Sequence, residues 1–458
     1  MRNSSLAQIL SVVVAAIVLA WVEPGNAQES AVLPASDATA KDNANAPEDW
    51  AVHGQTTFTT QYHPAFRSPY RGANSLDPGS RGNETFDATL YLGVRPWDGA
   101  EAWGEPEVDQ GFGLSNTFGV AGFPSGEAYK VGKATPYFRL QRLFVRQTID
   151  LGGVMRPVEA DADQLAGWRT DDNLILTFGK LAVTDIFDTN SYAHDPRSSF
   201  LNWAIVDAGA YDYAADAWAY TYGGAAEWTQ YWWTLRLGLF DLSRIPNGTA
   251  LVRGLGQYEL VGEAEERHSW WGAPGKLKLL VFMNRARMGS YDAAVKLGNL
   301  TGITPDTALV RKPGSRAGAS LNFEQQLYDD VGLFVRASLN DGSKESFEFT
   351  DINKSLSTGL SLKGTAWTRK DDAVGIALVV NGISASARTY FAAGGLGTLI
   401  GDGRLLHYGA ESILETYYNA AVGKGFTIIG DYQYVSNPAY NRDRGPVSIL
   451  GVRLHAEF

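Results

Sequence analysis

The 458-residue sequence contains no cysteine, so neither a disulfide framework nor a thiolate-ligated metal is available to it. Histidine is sparse as well. Its six copies show no metal spacing and no HExxH pattern. No run of about 18 apolar residues occurs outside the extreme N-terminus, which excludes a bundle of membrane-crossing helices. Positive charge is in deficit, with 39 Lys and Arg against 50 Asp and Glu. The net charge of −11 argues against nucleic acid as a partner. Gly272-Ala273-Pro274-Gly275-Lys276 is too short for a phosphate loop, and the glycines from Gly394 to Gly401 lack a dinucleotide-binding context. No catalytic signature remains, so the chain reads as a non-enzyme.

Glycine and aromatics are abundant: 50 Gly, 13 Trp, 21 Tyr and 20 Phe. That mixture suits a strand-rich protein with frequent turns. Residues 1–27 read as a secretory signal, with Arg2 as the positive start, Leu6 to Val22 as the apolar region and Gly25-Asn26-Ala27 as the cleavage site. Residues 28–50 are poor in large apolar side chains and read as a disordered periplasmic lead. The remainder, 51–458, alternates between apolar and polar residues in short segments.

The final segment shows the pattern most plainly. Leu450, Val452, Leu454, Ala456 and Phe458 are apolar and lie two apart, while Gly451, Arg453, His455 and Glu457 fall between them. A period of two gives a strand one apolar and one polar face. Sixteen such segments can be counted between Val52 and Phe458, an even number. Their connections alternate in length. Trp97–Ala100, Thr229–Tyr231, Gly272–Gly275, Tyr328–Asp330, Thr368–Asp372 and Gly423–Gly425 are short, whereas 63–84, 109–135, 185–215, 287–316 and 384–406 are long. The stretch Gly152–Asn173 breaks the rule and is expected to be a periplasmic insertion. The fold expected is all-β: a 16-stranded antiparallel transmembrane barrel with short periplasmic turns, long extracellular loops and loops folded inward. A soluble sandwich or propeller would not need the alternation of loop lengths. Terminal tryptophans of strands, Trp97, Trp103, Trp228, Trp232, Trp233, Trp270, Trp271 and Trp367, are expected in the interfacial girdle.

The middle of the chain carries more. Gly179-Lys180-Leu181-Ala182-Val183-Thr184-Asp185-Ile186-Phe187-Asp188 leads to Tyr192-Ala193-His194-Asp195-Pro196-Arg197, Phe200-Leu201-Asn202-Trp203 and Asp212-Tyr213-Ala214-Ala215-Asp216. Together with Asp109-Gln110-Gly111-Phe112-Gly113-Leu114, Gly122-Phe123-Pro124-Ser125-Gly126-Glu127-Ala128-Tyr129 and Asn437-Pro438-Ala439-Tyr440, this resembles the OprB-type carbohydrate-selective porins, from about His53 to Phe458. The resemblance implies passive diffusion of sugars such as glucose across the outer membrane of a Gram-negative cell. It implies a mono- or disaccharide as the solute and outer-membrane lipid and lipopolysaccharide as surroundings. Phe458 is then the terminus read by the barrel assembly machinery. A general or ion-selective porin is the competing reading, and a barrel enzyme or adhesin a third.

A sugar-selective constriction needs aromatic faces for the apolar side of a pyranose. It also needs forked charged groups for hydroxyl pairs, with the two signs balanced so that ions are not selected. On that reasoning Arg95, Glu107, Arg142 and Arg146 are the expected polar lining, with Trp168 and Trp203 as loop aromatics. No cofactor is expected. The Asp195-Pro196-Arg197 corner with Asp185 and Asp188 is acidic enough for Ca²⁺, but hydrogen-bonded loop closure is the favoured reading of it. The inward residues of the last strand are expected at the pore exit, without a part in selectivity.

Overall fold

The computed structural model describes residues 47–458 apart from 129 and 130. The expected signal, and the lead up to residue 46, lie outside the described residues. Sixteen strands close into an antiparallel barrel in which each pairs with its sequence neighbours and the last pairs with the first. They are β1 (Trp50–His63), β2 (Arg81–Val94), β3 (Ala100–Gly111), β4 (Lys133–Val158), β5 (Gly167–Leu181), β6 (Thr221–Gln230), β7 (Trp233–Asp241) and β8 (Tyr258–Trp270). There follow β9 (Ala273–Met288), β10 (Lys312–Tyr328), β11 (Val331–Asn340), β12 (Lys354–Lys363), β13 (Ala373–Gly382), β14 (Glu411–Gly423), β15 (Phe426–Ser436) and β16 (Val447–Glu457). Closure satisfies the backbone of every strand, which a lipid surround demands.

β16 meets β1 with Leu454 opposite Phe58 and Leu450 opposite Tyr62. The amide and the carbonyl of Phe458 each bond to Gly54 at 3.0 Å. The Phe458 ring packs over Gly54, where a Cβ would stand 2.4 Å from it. Along β16, Leu450, Val452 and Leu454 are exposed, while Gly451, Arg453 and His455 are buried. Leu90, Leu92 and Val94 on β2, and Ile376, Leu378 and Val380 on β13, repeat the exposed apolar face. Trp97, Trp228, Trp232, Trp270 and Trp271 are exposed near the short turns, where an interfacial girdle belongs. Trp103 departs from that expectation. It is buried on the inner face, in a cluster with Tyr91, Phe144 and Leu165.

The stretch expected as a periplasmic insertion is mostly strand. β4 and β5 run on as a hairpin to Val158 and Gly167, with register shifts between Asp150 and Met155. Gly152 and Gly153 adopt φ of 128° and 88° at those shifts, a region open to glycine. The tip, 159–166, folds back so that Leu165 packs against the inner wall.

The barrel is not an empty pipe. Residues 182–220, between β5 and β6, fold inward and fill much of the space beside β7–β14. Phe187, Phe200, Trp203, Tyr211 and Tyr213 of this loop pack into one buried cluster with Phe240, Phe282, Phe334 and Ile413 of the wall. Irregular backbone at such depth must still find hydrogen-bond partners. The wall supplies them. Glu263 accepts from the Asp188 amide (2.8 Å), Glu324 from Ser191 (2.7 Å), and Glu415 from Asn202 (3.0 Å). Arg336 donates to the carbonyls of Ile205 (2.7 Å) and Asp188 (3.0 Å). Glu411 holds the neighbouring loop, 112–132, through the amides of Ala121 (2.9 Å) and Gly122 (2.8 Å). Arg453 of β16 is fully buried and donates to the carbonyls of Pro196 and Ser199. It is therefore a loop anchor rather than a solvated group at the exit.

Candidate functional site: a charged constriction

A dense set of inward charges lies on β2–β5 and faces loop 182–220; another surrounds Arg236 of β7, which pairs with Glu227 (2.9 Å), Glu263 (2.8 Å) and Glu265 (2.9 Å). Alternation on β2 turns Thr85, Asp87, Thr89 and Tyr91 inward; on β3 it turns Glu101, Trp103, Glu105, Glu107 and Asp109 inward. β3 contains Pro106, which has no N–H for the ladder. The register with β4 shifts there, with Glu105 opposite Arg142 and Pro106 opposite Leu140. The shift bulges Gln141, so that Gln141 and Arg142 both lie inward beside Glu105 and Glu107.

Two arginine hubs result. The Arg142 fork takes both oxygens of Asp185 at 2.7 and 2.6 Å, and its third nitrogen meets Glu105 at 2.7 Å. The Tyr220 ring lies 5.1 Å from that guanidinium. Arg197, from the inward loop, stands 3.5 Å from Asp87, 3.6 Å from Glu107 and 3.3 Å from Glu127, and donates to the Tyr91 hydroxyl at 3.3 Å. Burial opposes its charge, but Glu127, Tyr91, Asp87 and Glu107 outweigh burial and hold the guanidinium protonated well above its ordinary range. Beside these hubs Arg139 pairs with Asp216 at 3.1 Å and lies 3.5 Å above the Trp218 ring. The result is a cluster of both signs flanked by Tyr91, Trp218 and Tyr220.

The structure brings two of the expected lining residues, Glu107 and Arg142, into this cluster. Glu107 also accepts from Thr89 (2.5 Å) and Gln141 (2.9 Å). Arg146 points to the same side as Arg142 but pairs with Glu101 (3.3 Å) and holds the hairpin tip through the Asp163 carbonyl (2.8 Å). Arg95 lies just past β2 and is spent on the carbonyls of Glu48 (2.9 Å) and Ala166 (3.1 Å), so it does not reach the cluster. Trp168 lies on the β4–β5 hairpin opposite Pro157 and is half exposed. Trp203, itself part of loop 182–220, is buried in the loop packing, with its ring 5.1 Å from Phe123. Long-range folding, not strand position, decided these four placements. Sequence reasoning missed Arg197, Asp185, Glu127, Glu105, Arg139, Trp218 and Tyr220. Glu105 was open to detection, since it shares the face of Glu107 two residues away.

The acidic corner considered for Ca²⁺ makes these contacts within the protein. Asp195 accepts from the Arg197 amide (2.9 Å) and the Ser198 hydroxyl (2.8 Å); Asp185 serves Arg142; Asp188 serves Arg336, Asn322 and the Ala208 amide. Among the described residues no group of three or more His, Asp or Glu is placed to hold a metal ion.

One loop carboxylate makes this packing sensitive to pH. Burial, with Asp188 adding to it, pushes Asp207 from 3.8 up to about 7. Its protonated form suits the folded loop. The stability it contributes is fully present below 3.8 and is lost as pH rises through about 7. The loss is on the order of a few kcal/mol. Urea midpoints in detergent should therefore be lower above pH 7 than below pH 5, and Asp207→Asn should flatten that difference. Equal midpoints in the parent protein would contradict it.

Only a pore in a membrane makes sense of apolar side chains outside and ion pairs inside, and the class is that of the outer-membrane porins. The fold agrees with solved structures. The high-pH structure of Pseudomonas putida OprB superposes with a TM-score of 0.66 at 15% identity, covering 90% of this chain and 94% of that one. The low-pH structure of the same protein gives 0.50 at 12% identity, covering 90% and 93%. At such identities the likeness concerns the fold. No curated protein sequence matches the chain. The family model described as "Carbohydrate-selective porin, OprB family" matches residues 73–458, and the chain belongs to that family.

Proposed function

We propose that this protein is a passive outer-membrane channel selective for neutral mono- or disaccharides such as glucose, without catalytic activity. One observation carries the reading: forked arginines interleave with carboxylates beside the rings of Tyr91, Trp218 and Tyr220. Interleaved signs offer hydroxyl groups both donors and acceptors. Stacked rings favour the apolar face of a pyranose. The cleaved signal, a lipopolysaccharide surround and recognition of the Phe458 strand by the assembly machinery belong to the same proposal.

The test is conductance in planar bilayers with sugar added. Glucose should reduce the ion current, and liposomes should swell faster in glucose than in a neutral polyol of similar size. Replacing Arg142 by Met and Glu107 by Gln together should raise the half-blocking glucose concentration about tenfold, the loss of one charge-assisted hydrogen bond. A double variant with unchanged sugar-over-ion preference would sink the assignment. A parent channel indifferent to sugar would establish the general-porin reading instead.

A further inference from the structure

A second polar hollow lies at the long-loop end, formed where loop 64–80, the start of β2 and loop 112–132 converge. Its volume is about 610 Å³, and Arg71, Asp77, Arg81, Asn83, Asn116 and Phe118 line it. This falls within the roughly 300–1,000 Å³ of small-molecule sites. We propose that it is a capture subsite for a neutral sugar, filled before the solute reaches the constriction; this rests on the channel reading above.

Three observations converge. First, contacts within the protein tie the walls of the hollow together. The Asp77 amide donates to the Ser115 hydroxyl at 2.9 Å, joining the two loops, and Asp77 pairs with Arg81 at 2.8 Å and Arg71 at 3.3 Å. Second, Ser115, Asn116 and Thr117 have φ of 52°, 57° and 68°. Three successive non-glycine residues in the left-handed region are costly, and such backbone gathers at ligand clamps. The run leaves the Asn116 side chain exposed at the hollow. Third, the inward face of β2 is continuous. Arg81 and Asn83 in the hollow are followed by Thr85, Asp87, Thr89 and Tyr91 at the constriction, one hydrogen-bonding side chain about every 7 Å.

The chemistry points to a neutral polyol. Asp77 is occupied by the two guanidinium groups and by the Gly79 amide (2.9 Å), so the free groups of the hollow are mainly donors and amides. The Phe118 ring supplies an apolar face. An anion held there would next meet the carboxylates of Asp87, Glu107 and Glu127 around Arg197. A sugar hydroxyl can pass from one set to the other.

The experiment uses the full protein in planar bilayers, with glucose or maltose added to one side at a time. In the Arg81→Gln, Asn116→Ala double variant, the rate at which sugar from the long-loop side interrupts the current should fall about fivefold, the loss of one or two hydrogen bonds. Sugar from the short-turn side meets the constriction first, so its association rate should fall much less. Asn83→Leu, a single change, should give the same asymmetry to a smaller degree if the double variant fails to insert. Unchanged long-loop-side association, or an equal fall from both sides, overturns the subsite while leaving the channel reading intact. A greater effect on a sugar acid than on glucose overturns the neutral-sugar assignment. A parent protein with no sugar-dependent interruptions overturns the channel reading and the subsite with it.

Discussion

Arg197→Met should convert the channel into a cation-preferring pore with little sugar preference. The substitution keeps much of the side-chain length but removes a positive charge that faces Asp87, Glu107 and Glu127. Those carboxylates remain where β2, β3 and loop 112–132 place them. Removing one partner of a buried ion pair leaves uncompensated charge, at a cost of about 3–5 kcal/mol. Mobile cations entering the pore offset part of that cost. The cation-to-anion permeability ratio, read as a reversal potential in a KCl gradient, should rise about tenfold or more, since each 1.4 kcal/mol of preference is tenfold. The half-blocking sugar concentration should rise as well, because the Arg197 donors are gone. Arg197→Lys should recover the ion preference but not the sugar block, since lysine restores charge without the fork. If the reversal potential of a correctly folded Arg197→Met channel matched the parent, Arg197 would not govern the constriction.

A comparable effect is expected at a residue that touches no solute. Arg336→Met should loosen the whole inward loop. Arg336 is buried on β11 and holds Asp188 by side chain (3.3 Å) and carbonyl (3.0 Å), and Ile205 by carbonyl (2.7 Å). Asp188 is itself a hub. Its oxygens also accept from the Asn322 amide (2.8 Å) and the Ala208 N–H (2.6 Å). Without the guanidinium this carboxylate is a buried charge held only by neutral donors. Destabilisation of about 3–5 kcal/mol is expected. The observable is larger than a lowered melting point: single-channel current should become noisy and several-fold larger, and loop 182–220 should become cleavable by protease. A double variant with Asp188→Asn should lose less than the sum of the single losses, the signature of direct coupling. Additive losses, or a quiet channel of parental conductance, would show that the loop is held by its apolar packing alone.

These two arginines also show where sequence reasoning reached and where it stopped. Arg336 has the two-residue periodicity of its strand and is legible as inward, yet nothing local says whether an inward arginine meets solute or a loop backbone. Arg197 was visible beside Asp195 and Pro196 but reads locally as part of an acidic corner. Its partners come from residue 87, from residue 107 and from residue 127, on two strands and a second loop. Glu107 and Arg142 were legible because alternation alone turns them inward on adjacent strands. Arg95 obeys the same alternation and still serves elsewhere, because the β4–β5 hairpin folds back and brings Ala166 within its reach.

The sequence by itself determined the wall. A period of two, apolar on one side and polar on the other, repeated sixteen times with alternating connections, admits few folds other than a closed barrel in lipid. That information is local, since each strand carries its own face and each turn its own length. Only the tertiary structure decided the constriction. Which inward charges hold loops and which face the solute depends on where residues 112–132 and 182–220 come to rest. Their positions are set by contacts between residues far apart in the chain: buried backbone groups must find partners, and the wall's carboxylates and arginines provide them.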